Sequence, residues 1–193
     1  MIKSDGFYDY TWNPVEGCLH GCEYCYARRD LERRGKSFKP TFYPDRLDEP
    51  KMIKVKKRIF VTHYCDLFGT WVPRNWVLSI LDVIKRSGHD YIFITKNPLR
   101  YYEYEFSDNC ILGVTVESSY EWHRTKMMEG LKNRKMASIE PLLGSFAGYD
   151  FLQFDLVVIG DMIGAKSNIK SEWVNSIKHE NIFYKPNIRR HLK

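Results

Sequence analysis

No run of apolar residues in this 193-residue chain approaches the length needed to span a bilayer. The first residues, Met-Ile-Lys-Ser-Asp-Gly, also lack the apolar core of a signal peptide. Internal repeats, low-complexity segments and long linkers are absent as well, and the chain is long enough for one sizeable core. We therefore expect a soluble, cytoplasmic protein with no membrane association and a single domain over residues 1–193.

Cysteine is scarce, and its distribution argues against a disulfide framework. The chain has five cysteines, of which Cys18, Cys22 and Cys25 fall in the segment 17–27, Gly-Cys-Leu-His-Gly-Cys-Glu-Tyr-Cys-Tyr-Ala. Three thiols spaced C-x3-C-x2-C cannot all pair, and in a reducing compartment they favour metal binding. A 4Fe–4S cluster normally takes four cysteine thiolates, and no fourth cysteine lies near this segment. A cluster held by these three would leave one iron open to a small ligand.

Short apolar runs alternate with helical patterns along most of the chain. Strands are predicted at 10–15, 58–63, 91–96, 110–117, 135–141, 155–161 and 181–186. Helices are predicted at 27–34, 75–87 and 99–105, from a capping box at 118–121 to about 130, and from 171 onward. Residues 36–57, with three prolines and many charges, indicate an irregular basic connection. We expect an α/β fold with mostly parallel strands, forming an open barrel because seven strands cannot complete an eight-stranded one.

Polar residues stand at the ends of six predicted strands. They are His63, Lys96, Glu117, Glu140, Asp161 and Lys185. In parallel α/β sheets and barrels, ligands bind at the edge where the carboxyl ends of the strands meet. The pattern therefore predicts a polar site over the mouth of the barrel.

The cysteine loop, with Tyr24 before its last cysteine, resembles the cluster loop of the radical S-adenosylmethionine superfamily and is similar to that of its spore photoproduct lyase-like branch. A second resemblance extends over the full length, to a phage-associated, largely uncharacterised three-cysteine family. Its motifs include Thr11-Trp12-Asn13-Pro14, Thr95-Lys96-x-Pro98 and Glu140-Pro141-Leu142-Leu143-Gly144. The spacing between the first two cysteines is shorter here than in that family. The resemblance implies a partial (β/α)6-type open TIM barrel.

The resemblance also implies a 4Fe–4S cluster held by Cys18, Cys22 and Cys25, with S-adenosylmethionine chelating the open iron. Reductive cleavage of this cofactor would give methionine and a 5′-deoxyadenosyl radical, which abstracts a substrate hydrogen. The expected cofactor contacts are Tyr24 at the adenine, Lys96 at the methionine carboxylate, Asp66 at the amino group, and Thr115, Glu117 and Ser118 at the ribose.

Three further residues are weaker candidates for catalysis. Glu140 and Asp161 face the same mouth and could contact substrate or cofactor. Cys65 follows a strand end near the expected cofactor, where a thiol could return a hydrogen atom to a substrate radical. An ordinary buried thiol is the simpler interpretation of Cys65.

Other readings of the cysteines remain open. The three cysteines with His20 or His63 could instead form a closed Cys3His zinc site. A separate alternative is a non-catalytic binding module that keeps zinc or an iron–sulfur cluster for stability and acts with a partner, with nucleic acid as one possible target.

The net charge of +6 is concentrated at the two ends of the chain. Residues 1–60 carry 13 basic and 9 acidic side chains, residues 164–193 carry 7 and 2, and the middle carries 10 and 13. A nucleic acid or nucleotide is therefore the first expectation for the substrate, although a solvated basic surface explains the charge equally well. The expected phosphate contacts are Arg28, Arg29, Arg33, Arg34, Lys185, Arg189, Arg190 and Lys193. The resemblance adds an external electron donor such as flavodoxin or ferredoxin, and leaves open a small metabolite, a peptide, or a protein partner that completes the site.

Overall fold

The computed structural model describes residues 2–3, 6–164 and 167–192. This part of the chain forms ten strands: β1 (Ile2–Lys3), β2 (Tyr10–Trp12), β3 (Val15–Glu16), β4 (Thr41–Phe42), β5 (Arg58–Val61), β6 (Asp90–Thr95), β7 (Cys110–Thr115), β8 (Arg134–Ile139), β9 (Leu156–Ile159) and β10 (Ile182–Tyr184). It also forms four α-helices: α1 (Tyr26–Arg33), α2 (Arg74–Lys85), α3 (His123–Lys126) and α4 (Ser171–Ser176). Short 3₁₀ helices occupy Pro44–Met52, Pro98–Glu103, Ser119–Glu121 and Arg189–His191. Within these residues, no helix has both the length and the apolar character that crossing a membrane requires.

Eight strands form one sheet in the order β1-β2-β5-β6-β7-β8-β9-β10, and β3 pairs with β4 in a separate two-stranded sheet. β1 is antiparallel to β2, and all neighbours from β2 to β10 are parallel. Because the seven parallel strands have the same order in space and along the chain, every crossover advances in the same direction. The sheet curls into a half-barrel. The predicted α/β fold with mostly parallel strands is confirmed.

The two faces of the sheet bury different sets of apolar side chains, as the alternation of side chains along a strand requires. The inner face carries a small cluster formed by Phe7, Phe60, Ile92, Ile111, Met136 and Val158. The outer face carries a larger core against α2, whose residues Val77, Ile80 and Ile84 are fully buried. The rings of Phe7 and Phe183 lie 5.7 Å apart, so the segment before β2 reaches β10 across the opening of the half-barrel.

Three local predictions differ from the structure. The region 36–57 is less irregular than expected, because it contains β4 and the 3₁₀ helix Pro44–Met52, which begins with a proline in its first turn. The predicted strand 10–15 ends at Trp12, and after Pro14 a different strand, β3 of the two-stranded sheet, begins at Val15. The capping box at Ser118 and Glu121 is present, but it caps a 3₁₀ turn followed by the four-residue α3 instead of a helix to residue 130.

Candidate functional site

A cavity of about 200 Å³ lies at the carboxyl ends of the parallel strands, above the inner face of the sheet. Strand-end residues that line it are Thr62, His63, Thr95, Lys96, Thr115, Ser138, Glu140, Asp161 and Lys185. Five of the six polar strand-end residues singled out in the sequence are among them, and the sixth, Glu117, contacts Lys96. Pockets for drug-sized ligands usually measure about 300–1,000 Å³. A ligand of nucleoside size would therefore extend from this cavity into its open mouth.

The cysteine loop forms one wall of the cavity. Cys18, Cys22 and Cys25 are free, half-buried thiols, and all three line it. Cys25 is the N-cap of α1, and its Sγ accepts a hydrogen bond of 3.4 Å from the backbone N–H of Arg28. Burial raises the pKa of the Cys18 thiol. Across the described ranges, no three His, Cys, Asp or Glu side chains are gathered closely enough to hold a metal ion.

Asp66 connects the cysteine loop to the end of β6. Its Oδ2 atom lies 2.6 Å from His20 Nε2 and accepts a 2.9 Å hydrogen bond from the backbone N–H of Lys96. Its Oδ1 atom accepts hydrogen bonds from the Thr95 hydroxyl (2.7 Å) and the Phe68 backbone N–H (3.0 Å). The carboxylate is buried, and these four donors satisfy it. His20, a candidate zinc ligand in the sequence, is therefore held by Asp66.

A buried polar cluster joins the ends of β6 and β7 to the cysteine loop. One carboxylate oxygen of Glu117 accepts from both Lys96 Nζ and the Tyr24 hydroxyl, and the other accepts from Arg124 at 2.8 Å. Lys96 Nζ also lies 5.1 Å from the centroid of the Tyr24 ring. Burial lowers the pKa of Lys96, and it raises the pKa of Tyr24. The cluster thus places a partly desolvated ammonium group at the cavity wall, next to the cysteines.

The two remaining expected ribose contacts occupy different positions. Thr115 is buried at the end of β7 and lines the cavity. Ser118 does not belong to the described lining, and its hydroxyl lies 2.6 Å from Glu121 in the capping box. Ser138, which the sequence reading did not select, is buried and lines the cavity beside Thr115, its register partner on β8. Its position near the end of a predicted strand could have identified it in the sequence. It was overlooked because serine is uncharged.

The wall opposite β6 and β7 contains Glu140, Asp161 and Lys185. Glu140 Oε2 accepts from Lys185 Nζ, and its Oε1 is buried without a hydrogen-bond partner among the residues described. Asp161 is 1% exposed, and it accepts hydrogen bonds from Ser167 (2.8 Å) and Arg190 (2.5 Å). Burial raises its pKa, but these hydrogen bonds outweigh burial, and the net pKa is lowered. Asp161 therefore anchors the C-terminal segment to the barrel mouth.

Cys65 and His63, which follow β5, also line the cavity. Cys65 is buried, and burial raises the pKa of its thiol well above the usual range. It is therefore protonated at neutral pH, which is the state a hydrogen-atom donor requires. Burial and the nearby Lys185 lower the pKa of His63 to about 4, so His63 is neutral at that pH.

Most of the basic residues expected to contact phosphate have partners within the chain. Arg29 donates to the Ile163 carbonyl at 2.6 Å, and Lys185 and Arg190 pair with Glu140 and Asp161. Arg33 and Arg34 form ion pairs with Asp30. Arg28 lies over the ring of Phe38, and Arg189 donates to the backbone carbonyl of Tyr184. Lys193 lies outside the described residues. Arg29 and Arg190 instead connect elements around the mouth of the cavity.

Comparison with known proteins gives one match. The model of the family described as protein of unknown function (DUF5131) matches residues 5–184. No curated protein and no solved structure gives a significant match. Because the family model covers nearly the whole chain, the protein belongs to the DUF5131 family.

Proposed function

We propose that the protein is a radical S-adenosylmethionine enzyme built on a partial (β/α)6-type TIM barrel. One observation carries the proposal: three free cysteines and the ammonium group of Lys96 line a single cavity at the carboxyl ends of the parallel strands. Such an edge is where α/β barrels bind ligands. The membership of the DUF5131 family is compatible with this function and does not specify it.

The donor set fits a 4Fe–4S cluster, because thiolates are its normal ligands. Cys18, Cys22 and Cys25 would hold it, and the loop must close to bring their sulfur atoms together. Within the loop, Gly21 has a left-handed φ of 71°, and a Cβ atom there would meet no atom within 4 Å. When bound, the cluster would supply the electron for reductive cleavage of S-adenosylmethionine, the chemistry that would make abstraction of a substrate hydrogen possible.

The residues around the loop would bind and orient S-adenosylmethionine. Lys96 offers an ammonium group for the methionine carboxylate, and Glu117 and Tyr24 fix its position. Thr115 offers a hydroxyl at the adjacent strand end. Asp66 already accepts four hydrogen bonds, so in this proposal it positions His20 and the backbone of Lys96. A contact with the amino group of methionine would have to displace one of these donors.

An external electron donor such as flavodoxin or ferredoxin would approach the outer side of the cysteine loop. Leu19, Gly21 and Glu23 lie between the first and last cysteines of the loop, and all three are exposed. On its buried side, Cys25 packs against a small apolar cluster formed by Ala27, Leu31 and Tyr64. A nucleic acid or nucleotide substrate belongs to the same proposal, supported by the basic ends of the chain.

Anaerobic reconstitution with iron and sulfide tests the proposal. We expect a brown protein with about four irons per chain, which forms 5′-deoxyadenosine from S-adenosylmethionine after reduction by dithionite. A Cys22→Ser variant should lose both properties, whereas Cys110→Ser, which changes a buried cysteine outside the cavity, should keep them. A colourless protein with one zinc ion per chain and no 5′-deoxyadenosine would contradict the proposal and favour the binding module.

A further inference from the structure

His63 presents an imidazole ring to the cavity without a hydrogen-bond partner among the residues that the structure describes. Aromatic rings surround it: the centroids of Tyr26, Phe60, Tyr64 and Tyr8 lie 5.1, 5.3, 5.9 and 6.3 Å away. At the backbone of this residue, the Tyr26 hydroxyl donates a hydrogen bond of 3.0 Å to the His63 carbonyl. The ring nitrogens are therefore available to a ligand.

The backbone before His63 is held in an unusual conformation. Thr62 has a φ of 59°, in the left-handed region that β-branched residues rarely occupy. The Thr62 backbone N–H donates to the Trp12 carbonyl at 2.8 Å, and the Cys65 N–H donates to the Thr62 carbonyl at 3.2 Å. Conformations of this kind cluster at functional sites when the surrounding structure maintains them. Here the tight turn fixes the position of His63 at the cavity wall.

The charges on this wall are paired. Lys185, the charged neighbour that lowers the pKa of His63, forms an ion pair with Glu140. Its Nζ atom also lies 5.5 Å from the centroid of the Phe7 ring, and Phe7 lines the cavity as well. At neutral pH the His63 ring is uncharged, with one nitrogen donating and the other accepting a hydrogen bond. Among the residues described, this part of the cavity combines aromatic surface with the free donor and free acceptor of His63 and the unpartnered Oε1 atom of Glu140, and its two charged side chains, Lys185 and Glu140, pair with each other.

We propose that the His63 wall binds the uncharged ring of a nucleobase. A flat heterocycle with adjacent donors and acceptors would lie against the rings of Phe7 and Tyr26 and exchange hydrogen bonds with His63. The inference rests on the proposed function in naming the substrate class of the same cavity, but base binding itself requires no radical chemistry.

Binding of free nucleosides tests this inference. The full chain, both metal-free and after cluster reconstitution, would be titrated with adenosine, guanosine, cytidine and uridine by calorimetry. We expect at least one of them to bind saturably. His63→Phe keeps an aromatic ring of similar size and removes both hydrogen bonds, so it should weaken that binding about tenfold. His123→Phe, at an exposed position of α3, is the matched control and should bind as the unchanged protein does.

Ribose 5-phosphate, which lacks a base, should not compete with the nucleoside. The inference is overturned if no nucleoside binds saturably, if His63→Phe binds as tightly as the unchanged protein, or if ribose 5-phosphate competes equally well. Formation of 5′-deoxyadenosine is measured separately in the same preparations. Its absence with His63-dependent binding intact would overturn the radical chemistry alone, and its presence without such binding would overturn the base site alone.

Discussion

His20 Nε2 lies 2.6 Å from Asp66 Oδ2, which ties the middle of the cysteine loop to the turn after β5. His20 stands between Cys18 and Cys22, while Cys25 is held separately as the N-cap of α1. The ring of His20 also meets the Trp71 ring edge-on, with centroids 4.8 Å apart. The His20–Asp66 contact is therefore the side-chain anchor of the loop segment that carries the first two cysteines.

Replacing His20 by alanine removes this anchor and leaves every cysteine in place. Side chains that orient the ligands of a metal without binding it themselves are often important for affinity. Removing one typically weakens metal binding about 10–100-fold. We expect reconstituted His20→Ala to lose iron to a chelator about tenfold faster than the unchanged protein, as followed anaerobically by the loss of visible absorbance. His123→Ala, at an exposed histidine, is the control and should lose iron at the original rate. Equal rates for His20→Ala and the unchanged protein would show that the anchor does not support the cluster.

The buried carboxylate of Glu117 predicts a large loss of stability when its charge is removed. It is 4% exposed and pairs with Lys96 and Arg124, so Glu117→Gln leaves two poorly solvated cations without their counter-charge. Breaking a buried ion pair in this way costs about 3–5 kcal/mol. Equilibrium unfolding in urea measures the change. Asp82→Asn, in the exposed pair with Arg86, is the control and should cost less than about 1 kcal/mol.

A double-mutant cycle separates the interaction energy between Lys96 and Glu117 from the other effects of each substitution. Combining Lys96→Met with Glu117→Gln removes one of the unpaired cations, so the double variant should be more stable than the sum of the two single changes predicts, by at least about 1 kcal/mol. Strict additivity would mean that Lys96 and Glu117 do not interact energetically. Their contact would then help to form the cavity wall without stabilising the fold.

The strands of the parallel sheet could be predicted because the central strands are buried on both faces. Runs such as Tyr91–Thr95 and Cys110–Thr115 are apolar nearly throughout, and each ends at a polar residue where the chain leaves the sheet. The helices were harder to predict. The pattern after Ser118 starts with a genuine capping box, yet the segment packs as a 3₁₀ turn and one helical turn. Tertiary packing overrides local propensity in such short connections.

The composition of the site could be predicted better than its contacts. Tyr24 and Glu117 are 93 positions apart, and no spacing rule indicates that their side chains meet. Arg124 completes the same cluster from α3, and a basic residue on a short helix gives no signal of this in the sequence. Thr62 was also missed, because its left-handed conformation follows from its hydrogen bonds to Trp12 and the turn after it. These features depend on the curl of the sheet.

The lowered pKa of His63 predicts that the metal-free protein loses stability in mild acid. The pKa is about 4 in the folded chain and 6.5 for the free side chain, so the unfolded state binds more protons between these values. The free energy of unfolding should therefore decrease as the pH falls from 6.5 to 4, by on the order of 3 kcal/mol from this residue. Lys185 and the rings of Tyr26, Tyr8 and Tyr64 also face His63, and Glu140 lies on the same wall as the partner of Lys185.

His63→Phe removes the titrating group, so its stability should depend less on pH between 6.5 and 4. Urea unfolding at closely spaced pH values measures the two slopes. His123→Phe should retain the slope of the unchanged protein, because His123 is exposed on α3. If His63→Phe has the same slope as the unchanged protein, another group is responsible for the acid sensitivity.

Gly160 allows Glu140 to reach its position beside Lys185. A Cβ atom on Gly160 would lie 2.8 Å from Glu140 Oε1, which is closer than real Cβ contacts come. Gly160→Ala must therefore displace the carboxylate or the backbone, and overpacking of this kind typically costs about 1–3 kcal/mol. Gly88→Ala is the matched control, since a Cβ atom there meets nothing within 4 Å. It should leave stability unchanged or raise it by up to about 1 kcal/mol in urea unfolding.

The cause of this loss can be tested in a second background. Glu140→Ala removes the side chain that the new methyl group would meet, so Gly160→Ala should cost less than about 0.5 kcal/mol when it is added to Glu140→Ala. An undiminished cost in that background would place the strain in the backbone at Gly160 and not in its contact with Glu140. A reduced cost would show that a glycine is needed after β9 because the carboxylate of Glu140, the residue that follows β8, occupies the space beside it.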